Sequence, residues 1–376
     1  MTRRPLAELL PAVADVLGVP AFTDRGAWLG PWLPGVQHVV VLLVDGLGDD
    51  QLRANPELTP VLTERMVDLG GLAAPFPSTT PVSLTSFGTG LPPGQHGIVS
   101  ASFRLEDGSS LTPLWWPPEP NPIATQPEPT VFERAEGARV LVTTAAPGEH
   151  STSGLTQAAL RGGTYQGVAS ISDRMVVAHD AVLRGRRAGR PSLTYVYWPD
   201  LDKAGHVHGV DSAHYRSALR RVDALVGTLV GALPGPDTAL LVTADHGLVD
   251  VADECRIDLE SDPALREGVI TILGEPRERQ VYCRPGQADA VAARWARVLG
   301  DRAEVLLREQ VDALLGPVDE WHVDRIGDVV AIATEQWALV SDRIDRVVSS
   351  LRGQHGGLTP AEVNVPLRLA IGTAQA

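Results

Sequence analysis

Lysine is nearly missing from this 376-residue chain: Lys203 is the only one, and every other one of its 32 basic residues is an arginine. Against 46 acidic residues the net charge is −14. That balance excludes tracking along a nucleic-acid polymer, where clustered cations must meet phosphates. A small anionic substrate stays open if something local supplies positive charge. Cysteine is equally scarce: Cys255 and Cys283 cannot make a disulfide framework in a chain this long, and a reduced, cytoplasmic setting is expected. No apolar run approaches the ~18 residues of a membrane span, so no membrane partner is expected. The start of the chain, with Arg3 and Arg4 followed by Glu8 and Asp15, lacks a leader pattern. The 37 glycines and 30 prolines mark a loop-rich folded chain. The length predicts two to three domain-sized units, or one large α/β domain with an insertion.

What the chain does have is a series of short apolar runs that stop at polar residues. His38–Val44 leads to Asp45-Gly46, residues 139–144 are rich in β-branched side chains, 193–197 lead to Trp198-Pro199-Asp200, and 239–243 lead to Ala244-Asp245-His246-Gly247. Runs that are apolar throughout, with helices between them, are what strands buried on both faces of a parallel sheet require. Residues 215–233 carry Leu219, Val222, Leu225, Val226 and Leu229 at helical spacing until Pro234-Gly235-Pro236 stops them. The alternation predicts a doubly wound α/β fold. Residues 104–133, with Trp115 and Trp116 among prolines, predict a long surface loop. From 255 to 350 the pattern becomes β-β-α-β (269–273, 279–283, Ala288–Leu299, Ala303–Leu307), predicting an inserted α+β subdomain at 255–350 within a core of residues 1–254 and 351–376.

Ligands of open α/β sheets gather beyond the carboxyl ends of the strands, and three of these runs end in an acidic residue. The polar residues there and in nearby tight loops are Asp45, Asp202, His206, Asp245, His246 and His355. Oxygen and imidazole donors without sulfur suit Zn²⁺ or Mn²⁺ in a hydrolytic site. Six ligands are too many for one tetrahedral ion with an open position. Split three and three, they suit two divalent ions roughly 3.5–4 Å apart, an arrangement that clamps the attacking and leaving oxygens of a phosphoryl group. Taken singly, Asp45-Gly46 is an ordinary turn signal and Asp245-His246-Gly247 an ordinary strand exit; together they point to a metal site. His208 is read as a solvated neighbour of His206, and His96 as structural.

A hydroxyl nucleophile has a natural place in Phe76-Pro77-Ser78-Thr79-Thr80-Pro81, just before an expected helix start, where backbone N–H groups and the helix dipole favour anions. Ordinary N-capping by Ser78 or Thr79 is the plainer role for the same loop.

These segments, with Thr89-Gly90-Leu91-Pro92 and His96-Gly97-Ile98, occur in an order that resembles the nucleotide pyrophosphatase/phosphodiesterase branch of the alkaline phosphatase superfamily. The resemblance runs from Val39 to about Leu369. It implies an alkaline-phosphatase-like α/β/α sandwich with a mostly parallel central sheet and a small α+β insertion. One metal would be held by Asp45, Thr80, Asp245 and His246, the other by Asp202, His206 and His355. Thr80 matches the family nucleophile, with Thr79 as the competing assignment, and would form a phosphothreonyl intermediate. The implied activity is a two-metal phosphodiesterase acting on small nucleotide diesters. Cyclic di-AMP or the linear dinucleotide pApA is the substrate suggested by a cytoplasmic setting.

Close relatives carry an asparagine after His-Gly-Ile that donates to the phosphoryl group; by spacing, Ala101 stands there. Ser100, Ser102 or Arg104 is then the substitute donor, or the phosphate is held differently, and Trp115, Trp116 and Trp198 are candidate surfaces for stacking a base or else packing anchors. A sulfatase reading fails for want of its Cys/Ser-x-Pro-x-Arg stretch, and a dinucleotide fold fails because Gln51 follows Gly46-Leu47-Gly48 where a third glycine is needed. Phosphomonoesterase, phosphonate hydrolase and non-catalytic nucleotide binding are the rival readings. The oligomeric state has no sequence signal.

Overall fold

The computed structural model of the protein describes residues 3–373. Its central sheet has seven strands: β1 (His38–Val44), β2 (Val67–Asp68), β3 (Leu141–Ala146), β4 (Thr164–Gly167), β5 (Ser192–Trp198), β6 (Thr238–Thr243) and, near the end of the chain, Arg368–Ile371. The spatial order is β2, Arg368–Ile371, β6, β1, β5, β3, β4. The run β6-β1-β5-β3-β4 is parallel, and Arg368–Ile371 pairs antiparallel with both β6 and β2. Every residue of β1, β5 and β6 is buried, which is why the sequence reads as unbroken apolar runs there. The polar residues just beyond their carboxyl ends therefore begin life next to a dry core.

The strand expected at 139–144 starts later, at Leu141, because Arg139 leaves the preceding helix Val131–Gly137 with φ +66°. Helix α1 (Thr80–Thr89), α2 (Ile171–Ala188), α3 (Asp200–His208) and α4 (Ala213–Gly231) alternate with the strands. Ser212 caps α4 by accepting from the Tyr215 amide at 3.0 Å. The long surface loop expected at 104–133 lies largely at the surface, but it opens with a short hairpin and holds a helical turn at Pro122–Thr125. Phe103–Arg104 pairs with Ser110–Leu111, and Phe103 and Leu111 are fully buried. Trp116 is a packing anchor, its indole N–H donating to the Pro120 carbonyl at 2.8 Å.

Between 255 and 350 lies a second sheet: β7 (Val269–Glu275), β8 (Glu278–Cys283), β9 (Ala303–Leu307) and β10 (Val329–Ala333), in the antiparallel order β7-β8-β10-β9. Helix Ala288–Leu299 buries Trp295 against it, forming an apolar cluster of its own. A third cluster joins this segment to the rest, with Phe76, Val82, Ile98 and Phe103 packed against Val311, Leu315, Val330 and Ile332. Among the described residues no helix is long and apolar enough to cross a membrane.

Candidate active site

Asp45 follows β1 directly, and its amide donates to the Trp198 carbonyl at the end of neighbouring β5. Gly46 then turns at φ +73°; a Cβ there would lie 2.9 Å from the Asp202 Cα, so only glycine lets α3 approach. The Gly46 amide donates to Asp245 Oδ1 at 3.2 Å, tying the ends of β1 and β6 together. Asp202 and His206 are four apart on α3 and share one face, with His206 Nε2 3.1 Å from Asp202 Oδ2. His355 arrives from after the 255–350 segment, and its ring lies 3.8 Å from that of His246 and 5.1 Å from that of His206, centroid to centroid. All six acid and imidazole residues singled out in the sequence meet in one place.

The imidazoles are pre-aimed. Nδ1 of His206 faces the Gly353 carbonyl at 2.7 Å, that of His246 the Gly247 carbonyl at 3.1 Å, and that of His355 the Ser78 carbonyl at 3.1 Å. A carbonyl can only accept, so in each neutral ring the proton sits on Nδ1 and Nε2 presents a lone pair.

Asp45, Asp245 and His246 form one compact group of donor atoms, and Asp202, His246 and His355 another. His246 thus stands between the two, whereas the family pattern puts it with the first; His206 adjoins the second through Asp202. Asp45 Oδ1, Asp202 Oδ1 and Asp245 Oδ2 are buried without a hydrogen-bond partner among the described residues. Burial, then the charges of Asp245 and Asp202, holds the Asp45 carboxyl well above the usual carboxylate range. Burial and Asp202 push Asp245 up to about 7. Burial opposes ionisation of Asp202 as well, but the His206 charge outweighs it and leaves that carboxyl below its usual range. Burial and His355 bring His246 down to about 4, while for His206 burial is outweighed by Asp202 and the ring is raised to about 9. Three buried carboxyl groups with orphaned oxygens, packed against three imidazoles, are a poor resting state for protein alone and a fitting cradle for divalent cations.

Thr80 occupies the first position of α1, with Thr79 at the N-cap and Pro81 next. Its Oγ1 is 3.1 Å from His246 Nε2. Ser78 turns away: its Oγ donates to the Gly357 carbonyl and accepts from the Gly356 amide. Thr80 also lines a cleft of about 90 Å³ with Leu84, Leu114, Leu155, Tyr195 and Tyr197.

The expected phosphate and base contacts do not face this cleft. Ser100 is fully buried and its Oγ donates to Glu278 Oε2 at 2.7 Å; Ser102 Oγ is likewise bound, to the Gly274 carbonyl. Arg104 lines a different pocket, beside Tyr282 and Arg308. Trp198 is buried at the end of β5, and Trp115 is 69% exposed. Serines beside a packed hairpin are consumed by that packing, which spacing alone does not reveal. His96 is structural as expected, fully buried with its ring 2.9 Å from Ser86 Oγ, and His208 is exposed and stacked on His214. Two residues near the site went unread in the sequence. Tyr197 donates its hydroxyl to Asp45 Oδ2, and Glu275 Oε1 lies 3.6 Å from His355 Nδ1. The alternation of Tyr195 and Tyr197 on β5 was the one available signal for the first; the second depends on long-range packing.

Residues 39–358 match the family of type I phosphodiesterases / nucleotide pyrophosphatases. The chain belongs to that family. Among curated relatives, it is 26% identical over 190 residues to human ectonucleotide pyrophosphatase/phosphodiesterase family member 5, covering 49% of this chain and 37% of that protein. It is 26% identical over 242 residues to an uncharacterized pyrophosphatase/phosphodiesterase of Schizosaccharomyces pombe, covering 59% of this chain and 47% of that one. The chain therefore spans less than half the length of these two relatives. Its fold matches murine ectonucleotide pyrophosphatase / phosphodiesterase 5 with a TM-score of 0.67 at 20% identity, over 88% of this chain and 87% of that one. An inactive threonine-to-alanine variant of the murine protein in complex with AMP matches with a TM-score of 0.66 at 20% identity, over 89% and 88%. The family fold is thus the alkaline-phosphatase-like one expected from the motifs.

Proposed function

We propose that the protein is a two-metal phosphodiesterase that cleaves nucleotide phosphodiester or pyrophosphate bonds, with Thr80 as nucleophile. The observation that carries the reading is Thr80 Oγ1 at a helix start, 3.1 Å from His246, beside two groups of buried carboxylate and imidazole donors. Asp45, Asp245 and His246, with Thr80, would hold one ion, and Asp202, His206 and His355 the other. Bound Zn²⁺ or Mn²⁺ supplies positive charge that favours the ionised hydroxyl and neutralises phosphoryl oxygens; none of the residues gathered here is Lys or Arg.

The chain's own part is positioning. Thr80 attacks phosphorus in line, forming a threonyl phosphodiester as the leaving oxygen departs with its electron pair. Water then attacks the same phosphorus, breaking the Thr80 oxygen–phosphorus bond and restoring the hydroxyl. Thr80 stands at the first position of α1, where the positive end of the helix dipole favours the anionic phosphoryl group. The largely apolar cleft with Tyr195 and Tyr197 suits a nucleobase more than a second phosphate. AMP bound to the murine relative supports a small nucleotide substrate. Free Cys255 and buried Cys283 suit a reducing, cytoplasmic setting, in which dinucleotide messengers such as cyclic di-AMP and its linear product pApA are the substrates to try first. On this reading residues 255–350 form an inserted unit at the rim of the site.

Comparing bis(p-nitrophenyl) phosphate with p-nitrophenyl phosphate, with Mn²⁺ or Zn²⁺ and with EDTA, tests the proposal. Diester preference abolished by chelation supports it. Monoester preference moves the reading to a phosphatase, and activity that survives chelation overturns the metal requirement.

A further inference from the structure

We infer that Glu275, at the tip of the β7–β8 hairpin, is a positioning residue for His355, so that the 255–350 segment contributes a side chain to the metal centre. The inference rests on the two-metal reading above. Glu275 Oε1 is buried, without a hydrogen-bond partner among the described residues, and 3.6 Å from His355 Nδ1. Nδ1 of each of the three imidazoles faces a backbone carbonyl, that of His355 the Ser78 carbonyl at 3.1 Å. His355 alone of the three also has a carboxylate aimed at that nitrogen. A carboxylate behind a ligating imidazole fixes the ring's orientation and tautomer and raises the basicity of the nitrogen that faces the metal.

The hairpin is built to hold this aim. On one side of Glu275 the Gly274 amide donates to Ser102 Oγ at 2.8 Å, and Ser102 Oγ faces the Gly274 carbonyl at 3.1 Å. On the other side Arg277 grips Glu362 through two bonds of 2.9 and 2.8 Å, and Glu278 accepts from Ser100. Opposite the carboxylate, Gly356 follows His355 with φ +111°, and a Cβ there would sit 2.4 Å from Glu275 Oε1. Backbone on both sides of the contact is thus arranged to admit a carboxylate next to His355. The serines that spacing suggested for phosphate instead set the position of this hairpin.

The full chain tests this as wild type, Glu275→Gln and Glu275→Asp, each stripped of metal and titrated with Zn²⁺ against a chromophoric chelator. Wild type takes up two ions per chain. Glu275→Gln binds one of them about 10- to 100-fold more weakly, and Glu275→Asp recovers part of the loss. The metal-free melting temperature of Glu275→Gln stays level or rises, since the amide keeps the size of the side chain and removes a buried charge. A melting temperature that falls while both zinc affinities stay at wild-type values assigns Glu275 to packing and overturns the inference. Two tight ions in wild type with identical affinities in Glu275→Gln overturn the inference alone. A wild type that takes up no zinc overturns the two-metal reading and this inference with it.

Discussion

Thr79 and Thr80 are adjacent hydroxyls at one helix start, yet their surroundings differ. Thr79 is the N-cap and nearly fully buried; Thr80, one position on, faces His246 and lines the cleft. Removing a nucleophile abolishes most of an enzyme's rate, so Thr80→Ala lowers diester hydrolysis at least about 1,000-fold. Thr79 makes no side-chain capping bond, so Thr79→Ala keeps most of the rate and of the stability. Steady-state kinetics and urea unfolding on both variants check the pair, and the reverse ranking assigns the reaction to Thr79. Tyr197 acts through Asp45, whose Oδ2 it holds. Tyr197→Phe keeps the ring in the cleft and removes only that bond. Zinc affinity then falls by about 10-fold, in line with other partners of metal ligands, while the fold is retained by circular dichroism. An unchanged affinity in chelator competition would confine Tyr197 to the cleft wall.

At the scale of elements, most of the cluster of carboxyl and imidazole groups was legible because the physics that makes it is local. β1 and β6 are buried along their whole length and mostly apolar, so the acidic residues that follow them fall at the carboxyl ends, where Asp45 and Asp245 stand. Asp202 and His206 read as neighbours on one loop, whereas they lie four apart on one face of α3. What spacing could not supply was which loops touch. Ser100 reads as a donor next to a histidine-glycine turn, but the β7–β8 hairpin, nearly 180 residues later, claims its hydroxyl. Segment 104–133 likewise reads as loop because proline disrupts its periodicity, while Phe103 and Leu111 pack from a short hairpin. His96 was legible as structural, and its burial has a consequence for stability. Burial and His322 bring it down to about 3 in the folded chain, from an ordinary value of 6.5. A lowered histidine stays neutral when folded and gains a proton on unfolding, so its contribution is complete above pH 6.5 and is lost as pH falls toward 3. Between pH 7.5 and 5.0 this one group costs about 2 kcal/mol. The fall in urea midpoint over that interval is correspondingly smaller in His96→Gln, measured at both pH values; an equal fall would show that His96 is not the group responsible.

Across the whole molecule, the 255–350 segment has its own apolar cluster yet is bound to the rest by a shared one and by buried charge. Arg277 and Glu362 are both fully buried and paired at 2.8 Å, and Arg277 also donates to the Trp337 carbonyl. Truncating one partner of such a pair strands the other charge, so Arg277→Ala destabilises the protein by about 3–5 kcal/mol in urea unfolding. A loss below 1 kcal/mol would show that water reaches Glu362. The molecule as a whole is acidic, and three of its carboxyl groups are buried together beside a threonine. The account stands or falls on two successive displacements at phosphorus through Thr80. The direct measurement is hydrolysis of a nucleoside phosphorothioate diester of known configuration in ¹⁸O-water, read by ³¹P NMR. Attack by Thr80 followed by water inverts phosphorus twice and predicts net retention. Net inversion would mean that water attacks the diester directly, and would contradict the role given to Thr80.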